Sequence, residues 1–532
     1  MRIHQLVLPL DYKEADIRQA VALKLDCDEK DFGEIEIIRR SIDARPQRGA
    51  PVFVLSIEIE IDASKMKQGA PLEDVRSVEY VFPTACISSP ARPRPVIVGA
   101  GPAGLMASLA LAEAGLAPIL IERGAPVEKR AEHVRCFWEK GMLNPESNVL
   151  FGEGGAGLFS DGKLTARNKD RQRVRHVLKT LVRLGAPDTI LVDAEPHLGS
   201  DMLLRIVPAI RQCIERSGGE VHFNARLEGI VIEKGSVRGL QINKDVLETT
   251  ACILATGHSA RDVYTMLSKE QVPMAPKPFA VGVRLELSQK SIDKALFGRY
   301  AGHPRIGVAA FRLTRKEESP LRACYTFCMC PGGQVIPCAS SHGLVTTNGM
   351  SLSDRAGDYG NAAFLVPVTP ADFPASAHSE SPELAGIEFQ MRIERAAFKA
   401  GGSDFRLPAA SLTDFVSGKR TETLPSKLSC KRARPSDLRC ILPDFVCDTL
   451  CSAIPKMLRL LNGVRIGDAL LFAPETRSSS PVRILRNNTR ESVGLHGLFP
   501  AGEGSGYAGG IVSSAIDGLR AAEALIQTHY KG

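Results

Sequence analysis

Aromatic residues are scarce in this chain: they make up 5% of its 532 residues, with a single tryptophan, whereas glycine occurs 47 times. That balance favours an α/β nucleotide-binding architecture over a β-sandwich. Long apolar runs are missing too. No stretch of about 20 residues is both apolar and free of charge, as a membrane-spanning helix requires. The best candidate, 96–121, contains Glu113 and several glycines. The first residues, MRIHQLVLPLDYKEAD, have neither the apolar run nor the small-residue cleavage site of a secretory signal. Neither sign of charge dominates: 67 basic and 60 acidic residues leave +7, which at this length calls for neither a nucleic-acid nor a membrane partner. The 13 cysteines are odd in number and scattered, so they read as reduced thiols. With 44% hydrophobic and 24% charged residues, the expectation is a cytoplasmic globular protein.

The length alone suggests about three to four domains. The first ninety residues read as one unit. A strand at 3–8 and a helix at 14–25 precede alternating apolar and polar residues at 32–39 and 52–61, the mark of half-buried strands. This β-α-β-β order predicts a small α+β sandwich, ferredoxin-like in outline. It ends in the proline-rich stretch SSPARPRP at 88–95, which reads as a linker. A buried strand at 96–98, a glycine turn, a helix at 103–114 and a strand at 118–121 then form one β-α-β unit. Helix 201–217 follows, with Ser200 as its expected cap. Strands are expected at 220–223, 230–232, 240–242 and 251–254. The middle of the chain mixes short strands with prolines, and the tail from 498 returns to strand, glycine turn and apolar helix.

Gly99, Gly101 and Gly104 have Gly-x-Gly-x-x-Gly spacing between a strand and a helix, with Pro102 and Ala103 inside the turn. The first glycine permits the tight turn and the second lets backbone approach a pyrophosphate. The third lets the helix lie close to the strand, and the helix N-terminus offers free N–H groups. Glu122 closes the next strand, where a carboxylate accepts hydrogen bonds from an adenosine ribose. The fingerprint does not separate FAD from NAD, since both carry ADP. Two further stretches, 152–157 and 504–509, match the spacing formally, but neither sits in a second β-α-β unit. One dinucleotide fold with two more glycine-rich loops is most economically filled by one long cofactor, FAD.

At this point the sequence resembles a known group. The GAGPAG turn, Glu122-Arg123, FGEGGAGLFSDGKL at 151–164, ATGHSARD at 255–262, AVGVR at 280–284, CYTFCMCPGG at 324–333, TNGMS at 347–351 and the terminal GLFPAGEGSGYAGGIVSSAIDG at 497–518 are similar to the FAD-dependent dehydrogenase-like family, within the glutathione-reductase-like flavoproteins. The resemblance spans nearly the whole chain. It departs at Leu287, where the family often carries a histidine. It implies that Gly99, Gly101 and Gly104 face the pyrophosphate and Glu122, followed by Arg123, the ribose. Gly154, Gly155, Asp161 and Gly162 would lie along the pyrophosphate or ribityl chain, with Ala255, Thr256 and Gly257 in the same crevice. Gly502 and Glu503 would stand against the ribityl or phosphate region. Gly509, Gly510 and Ile511 would bring a helix N-terminus to the flavin pyrimidine, where it stabilises negative charge on the reduced ring.

Redox partners of a flavin are less clearly marked. Cys324, Cys328 and Cys330 form a dense cluster, but C-x-C is less suited to a redox dithiol than C-x-x-C, so packing beneath the flavin is the expectation. His197, His258 and His342 are candidates for a general acid. Cys430, Cys440, Cys447 and Cys451 do not have zinc or ferredoxin spacing, and no metal is expected. The basic clusters at 163–183 and 427–439 lack the interleaved aromatics of a base-stacking surface. They read as solvated faces or a site for an anionic substrate, and nucleic acid is not expected.

The fold expected is α/β: a Rossmann-like FAD domain of glutathione-reductase type at 94–272 and 461–532, an inserted, mainly antiparallel β domain at 273–460, and the α+β domain at 1–90. The function expected is a FAD-dependent oxidoreductase acting on a small-molecule substrate, with NAD(P)H as a transient donor. An RNA-modifying flavoprotein and a flavin-binding scaffold are the alternatives.

Overall fold

The computed structural model describes residues 1–45, 49–62, 72–73, 80–83, 93–165, 169–373 and 381–530. At the N-terminus the helix Glu14–Leu25 buries Ile17, Val21 and Leu25, one per turn, on the sheet beside it. In the strand Val52–Ile61 the residues Phe53, Leu55, Ile57 and Ile59 alternate inward. The sheet runs Phe32–Asp43, Val52–Ile61, Arg2–Pro9, Leu72–Glu73, with every neighbour antiparallel. The expected β-α-β-β order is therefore present. Residues 63–71, and the linker expected up to residue 92, lie largely outside the described residues. This unit is tied to the rest of the chain through Arg40, whose backbone pairs with Val192 and Ala194 and whose Nε reaches Asp193 at 2.9 Å. Arg305 adds a second tie, with its guanidinium 4.3 Å from the Tyr12 ring centre.

The strands Val96–Val98, Ile119–Ile121 and Cys252–Leu254 are short, wholly apolar and fully buried. Such runs suit a parallel sheet covered on both faces. Five strands form it, in the order Leu498–Pro500, Cys252–Leu254, Val96–Val98, Ile119–Ile121, Glu220–His222, all parallel. Leu498–Pro500 thus completes a sheet begun about 400 residues earlier at Val96–Val98. The helix Pro102–Glu113 has proline in its first turn and is packed by Ile511–His529 and Gly199–Arg216.

Ser200 is not the cap of the helix Gly199–Arg216, which starts one residue earlier with Leu198 in the cap position. Its hydroxyl donates to Ser160 O at 2.9 Å, and the Asp201 carboxylate accepts from Ser353 N at 2.7 Å. The helix start is held by two neighbouring loops instead of by itself.

The inserted region builds a seven-stranded sheet, antiparallel at every step except Leu407–Ser411 beside Ala433–Pro435. Leu470–Glu475 is one of its inner strands, between Phe279–Ser288 and Leu407–Ser411. The return to the parallel sheet therefore comes after Glu475, not at residue 461. Among the described residues no helix is long and apolar enough to cross a membrane.

Candidate functional site

Parallel strands share one carboxyl edge, and ligands of open α/β sheets bind in the crevice outside that edge. Here Val98 runs into the glycine turn, Ile121 into Glu122, Leu254 into Ala255–Gly257 and Pro500 into the terminal glycine loop. The turn is specified sterically. Gly99 has φ +102°, and a Cβ there would stand 2.6 Å from Ala255 O. A Cβ on Gly104 would stand 1.8 Å from Gly99 O, so only glycine lets the helix close onto the turn.

These loops and the large sheet enclose a cavity of about 1410 Å³. That exceeds the roughly 300–1,000 Å³ of an ordinary small-molecule pocket, which gives room for a dinucleotide with a substrate beside it. Of the expected cofactor-binding residues, all but Gly104 and Gly154 line it. Gly104 acts in helix packing, and Gly154 backs the wall by donating to Ala100 O at 2.8 Å. The lining also suits the pyrophosphate of FAD. Gly101 and Gly155 face each other so closely that a Cβ on Gly155 would come 3.0 Å from Gly101 Cα. Two loops of bare backbone at a helix N-terminus form a cradle for phosphate.

Glu122 is held more firmly than the sequence suggests. Its Oε2 accepts from Ala100 N at 2.8 Å, and its Oε1 accepts from Gly124 N and Gly152 N at 2.8 and 3.1 Å. An ionised carboxylate has about four acceptor positions, so one is left for a ribose hydroxyl. The same side chain pins three loops together. Glu122→Gln replaces one acceptor oxygen by a donor facing backbone N–H. It is expected to weaken FAD binding about tenfold or more, from the about 1–3 kcal/mol lost on leaving a buried donor unsatisfied. Flavin fluorescence titration of the apoprotein measures this.

Asp161 lines the cavity, but both its oxygens are taken by Arg355, at 3.2 and 2.6 Å, with Lys163 Nζ 3.8 Å away. An unpaired carboxylate would repel a phosphate; this pairing removes the repulsion. Glu503 lines the cavity with His258, whose Nδ1 lies 3.5 Å from Glu503 Oε1. Arg123 bridges Glu146 and Asp262 over the Phe151 ring. The other two histidines stand away from the lining. His197 bonds Ser353 O at 3.1 Å, and burial, with Arg355 close by, holds its ring below the usual histidine range. His342 packs on the ring of Phe405. Of the cysteines, Cys324, Cys328 and Cys338 line the cavity, and Cys330 is buried beside it.

Arg284, buried behind the cavity wall, is a supporting residue that sequence reasoning passed over. Fully buried, it donates from Nε to Glu475 Oε2 at 2.9 Å and from Nη2 to Glu475 Oε1 at 3.1 Å. Its Nη1 donates to Asn361 Oδ1 at 2.9 Å and Cys328 O at 3.2 Å. The signal was an arginine inside the otherwise apolar AVGVR strand. Arg355 carried no comparable signal, since nothing near it in sequence marks its partner.

Residues 94–136 match the model of the FAD binding domain, and 278–478 match that of the FAD-dependent protein, C-terminal domain-like. Residues 1–60 match a domain of unknown function. An uncharacterised protein of Clostridium beijerinckii is 41% identical over 99% of this chain and 98% of its own length. A probable electron transfer flavoprotein-quinone oxidoreductase of Escherichia coli is 27% identical over 42% of this chain and 53% of its own. Among solved structures, the glycerol-3-phosphate dehydrogenase of Bacillus halodurans, complexed with FAD, is 10% identical. That match covers 82% of this chain and 65% of the other, with a TM-score of 0.34. Glycine turn, cavity and the two FAD family models agree: the chain belongs to the FAD-dependent dehydrogenase-like family, and FAD is its cofactor.

Proposed function

We propose that this protein is a cytoplasmic oxidoreductase that passes a hydride between a small-molecule substrate and FAD held without a covalent link. The observation that carries the reading is one continuous cavity, which joins the dinucleotide loops to side chains of the seven-stranded sheet. When bound, the flavin supplies the electron chemistry; the chain supplies position, a dry wall and charge. The main-chain N–H groups at Gly510 and Ile511 open the terminal helix toward the cavity and favour negative charge there. His258, with Nδ1 3.5 Å from Glu503, lines the cavity where its ring can exchange a proton with a substrate. Arg312, Arg315 and Lys316 line the same cavity; Arg312 is paired with Glu195 and Arg315 with Glu318, so it is Lys316 that favours an anionic substrate there.

The basic helix Arg171–Arg183 does not favour an RNA substrate. Arg173 is paired with Asp170 and Glu523, and Arg183 with Glu113. Much of its charge is thus spent within the fold. Anaerobic mixing of the FAD-loaded protein with NADH, NADPH and small organic anions is the test. Loss of flavin absorbance with any of them supports the oxidoreductase. Absence of bleaching with all of them leaves a flavin-binding scaffold. Flavin released into the filtrate on acid denaturation checks the non-covalent link.

A further inference from the structure

The strand Cys324–Cys330 breaks its pairing with Tyr359–Val368 between Phe327 and Cys330, where Phe327 faces Ala363 and Cys330 faces Asn361. Two residues, Cys328 and Met329, therefore stand opposite one. Cys328 adopts φ +45°, a left-handed conformation that a non-glycine residue rarely takes. Bulges of this kind bend a strand and re-aim a side chain, and they collect beside active sites. In a regular strand, residues i and i+2 stand about 6.6–6.8 Å apart, at the outer edge of disulfide reach. Here the bend turns the Cys330 thiol back onto its neighbour, where it donates to the Cys328 main-chain oxygen at 3.4 Å. The pair has one face on the cavity, through Cys328, and one on buried charge. Arg284 Nη1 donates to Cys328 O and approaches Cys330 Sγ at 4.0 Å, and Lys163 donates to the intervening Met329 O.

We infer that Cys328 and Cys330 are a redox-active dithiol that exchanges two electrons with the flavin through a Cys328–Cys330 disulfide. The inference rests on the reading above that the bound FAD gives and takes electrons. In the reducing direction the S–S bond breaks and takes up two electrons and one proton, leaving a thiolate on Cys328 and a thiol on Cys330. The anionic two-electron-reduced flavin gives up the same two electrons and one proton, so atoms and charge balance without another reagent. The environment sorts the two sulfurs into these roles. The Cys330 thiol, aided by Lys163 and Arg284, holds the Cys328 thiol below the ordinary thiol range against its burial. Cys328, together with burial, pushes Cys330 up. Low thiolate basicity beside positive charge marks a reactive cysteine.

Two measurements on the full-length protein test this. The first needs no flavin chemistry: the protein is oxidised with diamide or reduced with dithiothreitol, quenched in acid, alkylated with N-ethylmaleimide and mapped by mass spectrometry. The peptide carrying both residues should be about 2 Da lighter and unalkylated after oxidation, and doubly alkylated after reduction. A disulfide from either residue to another cysteine, or free alkylation of both after diamide, overturns the proposal. The second is an anaerobic dithionite titration of diamide-oxidised, FAD-loaded protein. Wild type should consume about four electron equivalents per flavin, and Cys328→Ser or Cys330→Ser about two. A wild-type value of about two overturns exchange with the flavin. A chain that binds no FAD would fail only the second measurement, which separates failure of the parent reading from failure of this one.

Discussion

Glu394→Ala is expected to lower the stability of the folded protein by about 3–5 kcal/mol, the range for removing one partner from a buried ionic group. Glu394 lies on the helix Ala385–Ala400 with no solvent exposure. It accepts from Arg261 at 2.8 and 2.9 Å, from Arg477 at 3.0 Å through two nitrogens, and from Thr476 Oγ1 at 2.8 Å. Arg261 opens a helix beside the parallel sheet, so this carboxylate joins the two main bodies of the molecule. Alanine leaves two guanidinium groups buried together with no counter-charge. Burial alone would raise the carboxyl pKa; Arg261 and then Arg477 reverse that and hold it well below the usual range. A depressed folded value contributes stability above the unfolded pKa of about 4.3, and loses it as pH falls through the folded value. The penalty should therefore be full at pH 7 and shrink progressively as pH falls below about 4.3. Urea unfolding followed by far-ultraviolet circular dichroism measures it; a change under about 1 kcal/mol would show the triad to be dispensable.

Gly104→Ala should cost the protein its flavin. The added Cβ would sit 1.8 Å from the Gly99 carbonyl oxygen, a main-chain atom that cannot swing aside. Either the helix Pro102–Glu113 lifts from the sheet or the Gly99 turn moves, and each displaces the N–H groups offered to the pyrophosphate. Overpacking of this kind costs about 1–3 kcal/mol. FAD affinity is expected to fall by at least about tenfold, equivalent to about 1.4 kcal/mol. Gly467→Ala is the matching control, since a Cβ there meets nothing within 4 Å. Equal flavin content in the two purified variants would contradict the steric account of the turn.

What could be read from the sequence is what neighbouring residues decide. Glu14–Leu25, Val52–Ile61 and Val96–Val98 stand where periodicity puts them, because each pattern reports which side of its own element meets a core. The glycine turn was equally legible, since its geometry is specified within six residues. What escaped depends on distant partners. Leu470–Glu475 reads as an apolar strand in either domain, and only its pairing with Phe279–Ser288 assigns it. Arg355 meets Asp161 across 194 residues, and Arg284 meets Glu475 across 191. The Cys328 bulge is a mismatch between two strands, and neither strand carries it alone.

The parallel sheet has a consequence for how the molecule comes into being. Its inner strand Val96–Val98 leaves the ribosome long before Leu498–Pro500, which lies beyond the whole inserted domain. At about 5–20 residues per second, the interval is on the order of 20–80 s. Throughout that time the glycine turn exists without the loop that closes the other end of its crevice. The inserted domain must fold while tethered to an unfinished neighbour. Cofactor capture thus waits for Leu498–Pro500 and the loop after it, and a chain that holds flavin has joined both parts of its parallel sheet.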